Sequence, residues 1–280
     1  MHNRPFRSAL YIPGSKDRAL DKARGLPVDA ILFDLEDAVA PDAKLPARET
    51  LASALAQGGY GARYKVVRIN GLDTEWGAGD AAAVATMDCD AVLLPKVNST
   101  DDVDALAALI PGLPIWAMME TPQGILNAAS IAAHPRIEGF VLGTNDLAKD
   151  LNARGRAAML TSLQLCLLAA KAAGIVALDG VYNAFKDEDG LRAECTEGRD
   201  MGFDGKTLIH PAQVAVTNAA FGPSEDEIDL ARRQIEAFET AEAEGQGVAV
   251  VDGRIVENLH IVTARATLAK ADAIAALETS

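Results

Sequence analysis

Eight short, largely apolar runs, at residues 8–12, 30–33, 64–69, 91–94, 115–119, 139–142, 175–178 and 206–209, each stop at Gly, Pro or a polar or charged residue. Runs this short, most of them apolar at consecutive rather than alternate positions, suit strands buried on both faces of a parallel sheet. Between them lie segments with helical spacing: one running to about Arg24 after a candidate cap at Ser15, then 44–56, 101–109 behind Ser99 or Thr100, 157–173 and 187–201. Parallel neighbours need a crossover, and a helix supplies it. Eight strand–helix units in a row favour an α/β fold of the closed (β/α)₈ (TIM) barrel type over an open doubly wound sheet. No Gly-x-Gly-x-x-Gly follows the first strand, which removes the main support for a dinucleotide-binding fold.

The last fifth of the chain breaks the alternation. Ser224-Glu-Asp-Glu is a capping box opening a charged helix to about Glu244, and residues 248–257 read as a hairpin turning at Asp252-Gly253. A terminal helix follows to about Leu277. We therefore expect a barrel over residues 1–222 and a C-terminal helical and hairpin extension, a lid, over 223–280. With a net charge of −14, the chain lacks the basic face needed to bind nucleic acid or an anionic membrane. Cys89, Cys166 and Cys195 have no ligand-like spacing, and no apolar run reaches the roughly 18 residues of a membrane span, so a cytoplasmic protein with reduced thiols is expected.

Ligands of α/β barrels sit at the C-terminal ends of the strands. There this sequence puts Glu36, Asp37, Arg68, Lys96, Glu120, Asp146, Asp179 and His210. Glu120 follows the fifth run, and Asp146 follows the sixth after a break at Gly143-Thr144. The two carboxylates either share one hard divalent cation, for which Mg²⁺ is suited, or one of them caps the next helix. Arg68 either offers a fixed fork to an anion or an enolate oxygen, or pairs with Glu36 or Asp37. Lys96 in Leu-Pro-Lys reads as a salt-bridge partner more readily than as a Schiff base, and His210 as a polar strand end more readily than as a base. The sequence has no Gly-x-Ser-x-Gly elbow, no Cys placed with a His and no zinc-type cluster among its four histidines, which leaves metal, Arg and carboxylate chemistry.

Seven motifs, in order, resemble the citrate lyase β-subunit-like (HpcH/HpaI aldolase/citrate lyase) family: Tyr11-Ile-Pro-Gly-Ser15, Asp34-Leu-Glu-Asp-Ala-Val39, Val67-Arg-Ile-Asn70, Leu94-Pro-Lys96, Met119-Glu-Thr121, Gly143-Thr-Asn-Asp-Leu147 and Leu208-Ile-His-Pro-Ala-Gln213. The resemblance implies a (β/α)₈ barrel, a homotrimer or homohexamer, and Mg²⁺-dependent (or Mn²⁺-dependent) chemistry on CoA thioesters. It implies Glu120 and Asp146 as metal ligands with Glu36 and Asp37 around the metal's waters. Arg68 and Asp37 would be catalytic, Arg68 also holding substrate oxygens beside Gly143 and Thr144. Tyr11, Lys16 and Arg18 would lie in the CoA-binding region.

Gly245-Gln-Gly-Val-Ala-Val-Val-Asp-Gly253 and Ile255-Val-Glu-Asn-Leu-His-Ile261 resemble the malyl-CoA branch. The lyases of that branch carry Asp in a Met-Ile-Asp motif given to a neighbour's active site, where this chain has Glu257. The resemblance thus implies hydrolysis of (S)-malyl-CoA to malate and CoA, with Glu257 as a catalytic residue reaching an adjacent subunit. Retro-Claisen cleavage of a malyl-, methylmalyl- or citramalyl-type CoA ester is the alternative. A citrate-lyase-β-like subunit working inside a larger complex is a second.

Overall fold

A computed structural model describes residues 4–278. Eight parallel strands, β1 Ser8–Pro13, β2 Ala30–Asp34, β3 Tyr64–Arg68, β4 Ala91–Leu94, β5 Ile115–Met119, β6 Ile137–Leu142, β7 Val176–Asp179 and β8 Gly205–Leu208, pair in sequence order. The ring closes where Ala9 of β1 lies beside Thr207 of β8. This is the (β/α)₈ barrel expected from the sequence. The strands are buried nearly throughout because the interior packs one face and the helices pack the other.

Inward-facing positions fill the interior in layers. Ala9, Ala30, Leu32, Val66, Ala91, Leu93, Met118, Val141 and Leu178 belong to one buried cluster with Phe6 and Trp116. At the N-terminal end the aromatic rings close the floor. Phe6 meets Tyr64 and Trp116 edge-on, each at 5.3 Å between centroids, while Tyr64 stacks on Trp116 at 5.8 Å. Glu138 on β6 accepts hydrogen bonds from the Tyr64 hydroxyl at 2.5 Å and the Trp116 indole N–H at 3.1 Å, so both polar tips are satisfied.

The helical layer departs from the sequence reading in several places, including the helices Thr144–Leu151 and Val214–Phe221, which patterning does not pick out. Ser15 makes no cap: the helix Asp17–Ala23 starts after Lys16, with no side-chain cap. The 157–173 segment divides into a 3₁₀ turn, Arg156–Met159, and the helix Leu160–Ala173. A helix that sequence patterning passes over, Gly77–Val84, crosses from β3 to β4. Its buried Asp80 accepts from Asn70 N–H at 3.0 Å, from Asn70 Nδ2 at 2.6 Å and from Arg48, which ties the helix to the end of β3.

The chain divides into two compact units, one of residues 6–218 holding the barrel, the other of residues 219–278 with 4 and 5. In the second, the capping box at Ser224 and Glu227 opens the helix Glu225–Ala243. Strands β9 Ala249–Val251 and β10 Arg254–Val256 form an antiparallel hairpin, and the helix Asn258–Glu278 follows. Asp252 and Gly253 both take positive φ, the twist that a two-residue turn needs. Arg233 grips both carboxylate oxygens of Asp252, at 2.8 and 2.9 Å. Ala241, Ala249, Val256 and Ile261 form this unit's own small core.

Candidate active site

A cavity of about 300 Å³ lies over the C-terminal ends of the strands, lined by Tyr11, Asp34, Asp37, Arg68, Met118, Glu120, Gly143, Thr144, Asp146 and, on its apolar side, Leu142, Val181 and Ile209. Parallel pairing of β2 with β3 puts Asp34 directly beside Arg68. Asp34 holds the guanidinium as a two-pronged fork, Nε to Oδ1 at 2.7 Å and Nη2 to Oδ2 at 2.6 Å, with both side chains buried. Its two oxygens also accept the backbone N–H groups of Glu36 and Ala38. The third guanidinium nitrogen, Nη1, meets Glu36 at 2.9 Å and Asp37 at 3.2 Å, and the Tyr11 ring lies 4.9 Å from the guanidinium carbon. So Arg68 is fixed in plane by one acid and solvated by two more. Asp34, which the sequence shows within a motif but does not single out as a site residue, is the acid that orients it.

Glu120 is buried at the end of β5, and its Oε1 accepts the backbone N–H of Lys96 at 2.8 Å. Gly143, at the end of β6, makes room for the same carboxylate: a Cβ there would stand 2.3 Å from Oε2, inside van der Waals contact. Burial, reinforced by neighbouring Glu36, pushes the Glu120 carboxyl up to about 8. Burial likewise raises Glu36, to about 7, against the pull of Arg68. Two neighbouring acids whose carboxyls are both raised by burial mark a place short of positive charge.

Asp146 sits in the first turn of the helix Thr144–Leu151 and lines the same cavity. Neither carboxylate caps a helix. The helix after Glu120 is capped by Thr121 Oγ1, which accepts from Gly124 N–H, and the helix carrying Asp146 has no side-chain cap. Lys96 Nζ stands 3.6 Å from Asp146 Oδ2. Partial burial works against that ammonium, yet Glu36, Asp146, Glu120 and Asp37 together hold its pKa above the ordinary lysine value.

The remaining candidates fall elsewhere. Lys16 and Arg18 are exposed where the chain leaves β1, outside the cavity lining. Asp179 is fully buried against Arg156, at 2.9 Å, and Lys206, at 3.1 Å, in a network with Glu194 that does not line the cavity. His210 caps a 3₁₀ turn through Nδ1 and stacks on Phe185. Glu257 is exposed between the hairpin and the last helix of the second unit, its N–H donated to His260 Nδ1. Glu36 and Asp37, expected around metal-bound water, take their contacts from Arg68. All three cysteines are buried, and among the described residues no helix is long and apolar enough to cross a membrane.

A closed parallel barrel with a carboxylate pair and a clamped arginine at its mouth defines a class that sequence comparison makes specific. Residues 7–211 match the HpcH/HpaI aldolase/citrate lyase family, and the chain belongs to it. It is 66% identical over 279 residues to a (3S)-malyl-CoA thioesterase of Cereibacter sphaeroides, an alignment covering 99% of this chain and 98% of that one. To citrate lyase subunit beta of Escherichia coli it is 36% identical over 285 residues, 96% and 94% of the two chains. Among solved structures it is similar to CitE of Mycobacterium tuberculosis in complex with magnesium, acetoacetate and coenzyme A, with a TM-score of 0.81, 30% identity and coverage of 96% and 99%.

Proposed function

We propose that this chain hydrolyses the thioester of (S)-malyl-CoA to malate and CoA in a Mg²⁺-dependent reaction. The observation that carries the reading is the 66% identity, across nearly the full length of both chains, with a (3S)-malyl-CoA thioesterase. The site's chemistry supports it. Glu120 and Asp146 are all-oxygen donors in one cavity, and a hard cation that takes one or two carboxylates and leaves its other positions to water and substrate fits such a pair. The raised Glu120 carboxyl supports the same reading, since a buried acid needs a cation to hold it ionised near neutral pH. When bound, Mg²⁺ supplies Lewis-acid polarisation of substrate oxygens.

The chain's own groups do the rest. Arg68 turns Nη1 to the cavity while its other two nitrogens stay on Asp34, so a substrate anion competes only with Glu36 and with the exposed Asp37. Burial works against the ionised form of Glu36 and so weakens its hold on Nη1. The guanidinium is thereby preorganised for the oxyanion that develops as water adds to the thioester carbonyl. Collapse of that adduct breaks the C–S bond and releases CoA as the thiol. Lys16, Arg18 and Tyr11 serve the CoA end, where a phosphorylated nucleotide needs local cations on an acidic protein. Glu257, supplied by an adjacent subunit of a homotrimer or homohexamer, positions the attacking water. The exposed Val250, Ile255, Leu259 and Val262 near it support burial of this segment against a neighbour.

Malyl-CoA incubated with the protein and Mg²⁺ tests this reading when thiol and glyoxylate are assayed separately. Free CoA in step with malate, abolished by excess EDTA, is the expected result. Glyoxylate with acetyl-CoA would make the chain a lyase. No product without an added carrier subunit would place it with the citrate lyase β chains.

A further inference from the structure

Lys96 is a non-glycine residue in the left-handed region, with φ of +51°, directly after Pro95 at the end of β4. A lysine there is strained by about 1 kcal/mol or more relative to glycine, and such strain persists only where the surroundings impose it. The conformation aims two different groups of one residue at the two carboxylates of the cavity. The backbone N–H donates to Glu120 Oε1 at 2.8 Å, and the ammonium lies 3.6 Å from Asp146 Oδ2. The N–H fixes which Glu120 oxygen is spent inside the protein and leaves Oε2 beside Gly143. The ammonium is different in kind. Its side chain is 56% exposed on a long stem, so it can swing to solvent at little cost.

We propose that Lys96 is a positioning residue with a second duty: its ammonium is the resident counter-ion of Asp146, and a divalent cation entering the site displaces it. This rests on the reading of Glu120 and Asp146 as metal ligands, and adds that the metal competes with a charge the protein already carries. The geometry requires competition. An ammonium 3.6 Å from Asp146 Oδ2 and a divalent ion on the same carboxylate are like charges of +1 and +2 held close together, and they repel enough, even at a water-like dielectric, to weaken binding roughly ten-fold. Part of that is relieved when the lysine swings away. The Glu120 contact is made by the main chain and survives the swing.

Mn²⁺ is the probe, counted as the free ion by electron paramagnetic resonance during titration of the protein without substrate. Lys96→Met removes the ammonium and keeps the stem. Lys96→Gly removes it and relieves the backbone, and Lys96→Arg keeps a charge. The Met and Gly variants should bind Mn²⁺ three- to ten-fold more tightly than the parent, and the Arg variant within two-fold of it. In EDTA at pH 8 the Met variant should melt below the parent, a difference that saturating Mn²⁺ removes. Equal or weaker binding in both neutral variants would overturn the counter-ion role while leaving the metal site intact. A parent that binds no Mn²⁺ saturably, while Asp146→Asn behaves identically, would overturn the metal reading itself and this role with it.

Discussion

Glu120→Gln should make the metal-free protein more stable at alkaline pH, while removing its function. The wild-type carboxyl is shifted from 4.5 to about 8 by burial and by Glu36. Between those values the folded protein holds a proton that the unfolded chain has released, so stability falls as pH rises through this window and the loss is complete above about 8. That displacement corresponds to at most roughly 5 kcal/mol, an upper figure because Glu36 shares the same field. Glutamine has no charge to desolvate, keeps the shape beside Gly143 and can still accept the Lys96 N–H through its carbonyl oxygen. Thermal melts of the two proteins in EDTA should coincide near pH 4.5 and diverge with rising pH until the variant melts on the order of 10 °C higher at pH 9. Added Mg²⁺ should raise the wild-type melting temperature and leave the variant unchanged. A gap that is constant across pH, or a variant less stable at pH 9, would refute the view that burial raises the Glu120 carboxyl in the metal-free protein.

Asp34→Asn should release the Arg68 fork; we expect kcat to fall about 10²-fold, as for a misplaced catalytic group, and stability to drop by about 3–5 kcal/mol for a half-broken buried pair, measured by steady-state kinetics and urea unfolding. Gly143→Ala pushes a methyl group to 2.3 Å from Glu120 Oε2, so Mg²⁺ affinity by calorimetry should fall at least ten-fold while the circular dichroism spectrum is retained. Glu257→Ala should keep Mg²⁺ and CoA binding and lose turnover; loss of metal binding in that variant would contradict its assignment to water.

The barrel was legible because a strand buried on both faces writes itself as a largely apolar run, broken in β3 and β8 by Lys65, Arg68, Lys206 and Thr207, and the rim was legible because each run ends in a stop. What one rim residue does to another was not. Asp34, Glu36 and Asp37 are equally acidic and nearly adjacent in sequence, and only the β2–β3 register makes Asp34 the one beside Arg68. The helix Gly77–Val84 has two glycines and four alanines, too little apolar contrast for a periodicity; its place is fixed instead by Asp80 reaching Asn70 and Arg48. Ser15 looked like a cap because Ser before a helical pattern usually is one, but the chain turns through Pro13–Lys16 and starts the helix after Lys16. The left-handed Lys96 left no mark, since lysine gives no hint of that conformation.

The aromatic floor has a kinetic consequence. With Phe6, Tyr64 and Trp116 packed across the N-terminal end, the cavity over the opposite end of the barrel is where ligands come and go. For the proposed reaction, the acid fragment is held at buried Arg68 and the thiol fragment lies outside it, so release is ordered by depth, thiol first and acid second. An enzyme built this way is slowed by its acid product as a competitor of the substrate and by free CoA as a noncompetitive inhibitor, a pattern set by a plug on the far side from the chemistry.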